Sequence, residues 1–162
     1  MKTWSRLAIA VVMMLTAGAG SAADLATKKA LTLPVAKQMA AAAEAEAAKN
    51  NWNVVIAIVD DGGHLVYLQR MDETQIGSVE VAERKAKGAL LFKRPTKAME
   101  DAVAGGRNVV MTLPGAMPVE GGLPITAEGK VIGAIGVSGV TSQQDGQVAK
   151  AGVDALPKIL GR

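Results

Sequence analysis

Apolar positions recur along this chain with two different periods, and the changes of period mark out its elements. Thr32 stands ready to cap a first helix with Pro34 in its first turn, and Val35, Met39, Ala43 and Ala47 then share one face until Asn50-Asn51. The stripe is thin and its side chains are small, so this helix is expected to lie close to a sheet. From Trp52 to Val59 the β-branched run predicts a buried strand, Asp60-Asp61-Gly62-Gly63 a turn, and His64 to Arg70 the returning strand. Ser78 opens a helix that runs to about Phe92 with Val79, Ala82, Ala86, Ala89 and Leu90 as its apolar stripe. Thr96 caps a shorter helix that stops at Gly105-Gly106.

Three short strands are expected next: Asn108 to Leu113, Gly122 to Thr126, and Val131 to Ser138, the last two joined by the turn Ala127-Glu128-Gly129-Lys130. A final helix is expected from Ser142 to Leu160, kinked or shortened by Pro157. The order is helix, two strands, two helices, three strands, helix. Tight hairpins make most pairings antiparallel, which predicts one α+β domain around a single five-stranded sheet. The terminal helices are expected to share a face, with the middle helices on the other side or at an edge.

The first two dozen residues follow a different pattern. Lys2 and Arg6 flank the start of an apolar run, Leu7 to Leu15, and small residues follow through Ala23. This is the layout of a secretory signal peptide, too short to span a bilayer comfortably, and it predicts cleavage after Ala22 or Ala23. The expected organisation is residues 1–23 as signal peptide and 24–162 as one domain, periplasmic or secreted, with no membrane anchor after cleavage. The mature chain keeps 16 basic and 15 acidic side chains.

That near-neutral balance removes the electrostatic support for nucleic-acid binding. Trp52, Tyr67 and Phe92 are the only aromatics left, too few for base-stacking platforms. The sequence has no Cys and one His, which excludes disulfides, thiolate catalysis, iron–sulfur clusters and imidazole clusters within one chain. A nucleophilic triad would have to run through His64, and no G-x-S-x-G elbow accompanies it.

Candidate binding residues lie at glycines and at strand ends. Gly133, Gly136 and Gly139 sit in or just after a predicted strand, where glycine weakens a sheet unless a helix, a second subunit or a flat ligand approaches the backbone. Gly121-Gly122-Leu123-Pro124 and Ser138-Gly139-Val140-Thr141 would come near each other if the last two strands pair, and the N–H groups opening the last helix there suit a helix cap or an anion such as a carboxylate. Arg70 and Asp72 close the second strand and Glu120 precedes the Gly pair, so an arginine–carboxylate pair shaping a pocket is one reading and solvated strand ends the other.

Several of these stretches carry a resemblance. Ile58-Val59-Asp60-Asp61-Gly62-Gly63-His64-Leu65-Val66, Arg70-Met71-Asp72, Lys85-Ala86, Glu120-Gly121-Gly122-Leu123-Pro124-Ile125 and Ile132 to Gly139 followed by Asp145 together resemble the GlcG/HbpS family. Its members are also described as haem-binding or haem-degrading domains, similar to the carboxy-terminal domain of PduO-type corrinoid adenosyltransferases. The resemblance spans nearly all of the mature chain, in order, and departs at Glu73-Thr74, where many relatives have Gly-Ala. It implies a five-stranded antiparallel sheet with flanking helices, similar to profilin and PAS domains, and a homo-oligomer, to which glycine-lined surfaces open to close subunit approach also point. It also implies a haem or other tetrapyrrole ligand, for haem or iron handling or sensing. A small-organic-acid-binding accessory protein or enzyme is the alternative.

On either reading the ligand-binding candidates are Arg70, Lys85, Glu120, Gly122, Pro124, Gly133, Gly136, Ser138 and Gly139, with Lys85 at the family's Lys-Ala position as a partner for a propionate or another acid. His64 is the candidate ligand to haem iron, with Tyr67, Met71, Met111 and Met117 as other donors. If haem lies against the Gly133 to Gly139 strand, Gly136→Val is expected to weaken binding more than His64→Ala.

Overall fold

The computed structural model describes residues 23–162. The expected signal peptide lies outside them except for Ala23. Helix α1 spans Leu33–Lys49, the hairpin strands β1 and β2 span Val55–Asp60 and Leu65–Arg70, and helices α2 and α3 span Ser78–Phe92 and Thr96–Ala104. A 3-10 helix, Asn108–Thr112, leads to the second hairpin, β3 (Gly122–Ala127) and β4 (Lys130–Ser138), and the chain closes with α4 (Ser142–Asp154) and α5 (Leu156–Ile159).

The sheet has four strands in the order β2-β1-β4-β3, every neighbour antiparallel. This corrects the expected fifth strand. Residues 108–113 carry the β-branched pair Val109-Val110, but only Val110 is buried, under α3, and Val109 and Met111 face solvent. Five residues bracketed by Gly105-Gly106 and Pro114-Gly115 coil against the neighbouring helix instead of reaching a sheet edge.

Helices cover both faces of the sheet. On one face α1, α4 and α5 pack Met39, Ala43, Val148 and Leu156 against Val54, Ile56, Ile58, Ile135 and Val137. On the other, α2 lies across β1, β4 and β3, with Ala82, Ala86 and Ala89 over Val55, Ala57, Val59 and Ala134. The expected long last helix is two pieces. It breaks at Ala155, two residues before Pro157, whose ring cannot continue the α4 hydrogen-bond ladder.

Small residues set the depth at which α2 sits. Ala57 of β1, Gly136 of β4 and Gly122 of β3 are successive cross-strand partners, and they form a trough directly under the helix. A Cβ on Gly136 would lie 2.0 Å from the Ala82 carbonyl oxygen, and one on Gly122 2.3 Å from that of Lys85. Helix backbone therefore rests on strand backbone.

Candidate functional site

Lys85 sits on α2 between Ala82 and Ala89, on the buried side of the helix, and its side chain is 1% exposed. Its Nζ donates to Asp145 Oδ2 at 2.7 Å and to the Val137 carbonyl oxygen at 3.0 Å. Asp145 belongs to α4, on the opposite face of the sheet. The ion pair thus passes around the open end of β3 and ties the two helical layers together.

Gly121 makes the passage possible. It takes a φ of +124°, and a Cβ there would stand 2.9 Å from Lys85 Nζ and 2.7 Å from the Val137 oxygen. The other oxygen of Asp145 accepts from the Val140 N–H at 3.2 Å. Burial pushes the Asp145 carboxyl up, and the hydrogen bond and charge of Lys85 pull against it. Lys85, an expected propionate partner, is therefore committed inside the protein.

The other expected ligand residues separate into packing positions and distant surfaces. Gly136 and Gly122 lie under α2, leaving no layer for a flat molecule, and the Gly122 N–H donates to Thr96 Oγ1 at 2.9 Å. Gly133 and Gly139 are closed off by the backbone of the β1 side, where added Cβ atoms would meet the Val59 oxygen at 2.4 Å and the Asn53 oxygen at 2.2 Å. Ser138 is buried and its Oγ is 3.2 Å from Ser78 Oγ at the start of α2. Pro124 is half-buried opposite Ala134. Helix α4 opens with a cap: Thr141 Oγ1 accepts from the Gln144 N–H, and the Gln144 side chain accepts from the Thr141 N–H.

Arg70 and Glu120 do not meet. Arg70 is exposed on β2 and Glu120 leads into β3, so three strand spacings, about 14 Å, separate their strands. Arg70 lines an open cavity of about 360 Å³ with Glu44, Asn53, Gln69 and Asp72. Glu120 packs against Gly146 of α4 and its Oε2 has no hydrogen-bond partner. Burial, then repulsion from Glu100, raises its carboxyl above the ordinary range.

The donors for iron are equally dispersed. His64 is exposed beyond the hairpin turn, where Asp60 Oδ1 accepts from its backbone N–H at 2.9 Å. Tyr67 donates its hydroxyl to Gln69 Oε1 at 3.0 Å, Met71 and Met117 are half-buried, and Met111 is exposed on the 3-10 helix. Among the described residues no three His, Asp or Glu side chains gather as a metal-holding group.

Two other concavities draw on residues that the sequence did not single out. One, of about 320 Å³, lies between the segment before α1 and the β3–β4 turn, and most of its charges neutralise one another: Lys28 pairs with Asp61, Lys29 and Arg162 both pair with Glu128, and Lys130 stands beside them. The hydrogen bonds from Lys29 and Arg162 bring the Glu128 carboxyl down to about 2. The other, of about 250 Å³, lies where the end of α2 meets α3 and the 3-10 helix. Phe92, Met99, Val110 and Leu113 form its apolar wall, and Arg94 and Arg107 stand on it with no carboxylate among the lining residues.

Comparison with known proteins bears on what this frame carries. A family model described as haem degrading protein HbpS-like matches residues 31–154. Protein GlcG of Escherichia coli (strain K12) is 45% identical over 112 residues, 69% of this chain and 84% of GlcG. The fold is similar to the crystal structure of HbpS, with a TM-score of 0.75 and 34% identity over 86% of this chain and 96% of that one. It is similar also to a PduOC:haem complex, with a TM-score of 0.72 and 30% identity over 78% of this chain and 95% of that one.

Proposed function

Because this chain belongs to the HbpS-like family of haem degrading proteins, we propose that it is an exported haem-binding protein, used outside the cytoplasm in handling or sensing haem or iron. The observation that carries the reading is the likeness, at 30% identity and with 95% of that chain covered, to a domain solved as a haem complex. Export is supported by the apolar run and small residues of the first 23 positions. Self-association is part of the same reading.

The residues fit a tetrapyrrole at a surface better than inside the fold. The trough over Gly136 is filled by α2, whereas exposed Val109, Met111 and Leu113 provide apolar area beside Arg94 and Arg107, which have no ion pair among the described residues. Burying apolar area contributes about 25 cal/mol per Å², so a porphyrin face needs no deep pocket for useful affinity. When bound, haem would supply the iron chemistry and the chain would supply orientation and carboxylate contacts.

Titration of the purified protein with haemin, followed by absorbance, should give a saturable, shifted Soret band. A spectrum that stays that of free haemin at protein excess would reject the reading.

A further inference from the structure

We propose that the tetrapyrrole docks in the groove between the end of α2, α3 and the 3-10 helix, with Arg94 and Arg107 taking its two propionates; the inference rests on the haem-binding reading above. The groove is amphiphilic in the sense that the ligand is. Haem is a flat apolar ring carrying two carboxylates on one edge, and this concavity offers Phe92, Met99, Val110 and Leu113 as a wall with two guanidiniums beside them. Neither arginine has a carboxylate within 4.0 Å among the described residues. The anions nearest in sequence are occupied: Asp101 pairs with Lys97, and Glu100 accepts from the Glu120 N–H at 2.6 Å.

Arg94 is also held in place. Its Nε donates to the Phe92 carbonyl oxygen at 3.2 Å, which keeps the guanidinium beside the apolar wall. A planar guanidinium pairs with a carboxylate through two parallel N–H donors, and such charge-assisted bonds are shorter and stronger than neutral ones. The cavity of about 250 Å³ is smaller than the roughly 300–1,000 Å³ of sites that enclose a drug-sized ligand. It therefore grips one edge of the ring and leaves the rest against exposed Val109, Met111 and Leu113. The concavity near Glu128 is less complementary because two of its three cations, Lys28 and Lys29, already face carboxylates.

Recognition through the propionates and the ring does not depend on the iron. Metal-free protoporphyrin IX should therefore bind within a few-fold of haemin, read by fluorescence, and its dimethyl ester should bind at least tenfold more weakly. The double variant Arg94→Ala/Arg107→Ala should weaken haemin and protoporphyrin IX by tenfold or more while leaving the ester unchanged. Ala98→Trp, on exposed α3 and lining the groove, should weaken all three, and circular dichroism should show both variants folded. Equal affinity for haemin in the wild type, the double variant and Ala98→Trp would overturn the groove while leaving haem binding intact. No saturable binding of haemin to the wild type would overturn both.

Discussion

Gly136→Val should leave no stably folded protein to titrate with haemin, and Gly136→Ala should lose more than about 3 kcal/mol, beyond the usual cost of overpacking a core. A Cβ at this position would lie 2.0 Å from the Ala82 oxygen and 2.5 Å from the Ala86 nitrogen. Both are helix backbone, so no side chain can rotate away. The only relief is for α2 to lift off β1, β4 and β3, which opens Val55, Ala57, Ala82, Ala86 and Ala89 to water together. Gly77→Ala is the matched control, because nothing lies within 4 Å of its added carbon and its φ of −60° suits any residue. Urea unfolding of the two alanine variants measures the difference. A Gly136→Ala protein as stable as Gly77→Ala would mean that α2 does not rest on the strand backbone.

Removing either member of the Lys85–Asp145 pair should cost about 3–5 kcal/mol, because the survivor is left charged and out of reach of water. That is a large part of the roughly 5–15 kcal/mol that holds a domain folded. Lys85→Met and Asp145→Leu are the direct variants. Joining Lys85→Met to Asp145→Leu should cost much less than the two single losses together, since an apolar pair strands no charge. Denaturant melts of the four proteins make the cycle. Single variants within about 1 kcal/mol of wild type would show that the pair does not clamp α2 to α4.

These two outcomes bear on how the sequence is to be read. The period of Val35, Met39, Ala43 and Ala47, the β-branched run before Asp60 and the Ser78 to Phe92 stripe place α1, β1 and α2 within a few residues of where they stand. Glycines at 133, 136 and 139 announce close approach, but a strand's sequence does not say what approaches. Gly136 meets α2, while Gly133 and Gly139 meet the backbone of the β1 side.

Lys85 is expected from the resemblance to meet a propionate or another acid, and the protein's own Asp145 is the acid it meets. Its spacing of three from Ala82 and four from Ala89 put it in the buried stripe, and Asp145, an acid in the first turn of the last helix, was the partner to seek. Arg94 and Arg107 were hidden by the expected strand at 108–113. With that segment coiled as a 3-10 helix against α3, the two arginines come to one groove.

Where the ring sits on the folded protein can be read residue by residue in solution. Amide chemical shifts of the ¹⁵N-labelled protein, recorded with and without diamagnetic gallium protoporphyrin IX, report the contact surface residue by residue. The largest shifts are expected between Phe92 and Leu113, with Gly136 and Ser138 unmoved beneath α2 and Gly133 unmoved against the β1 side. Shifts concentrated at residues 133–139, with the α2–α3 corner silent, would contradict that placement of the ring.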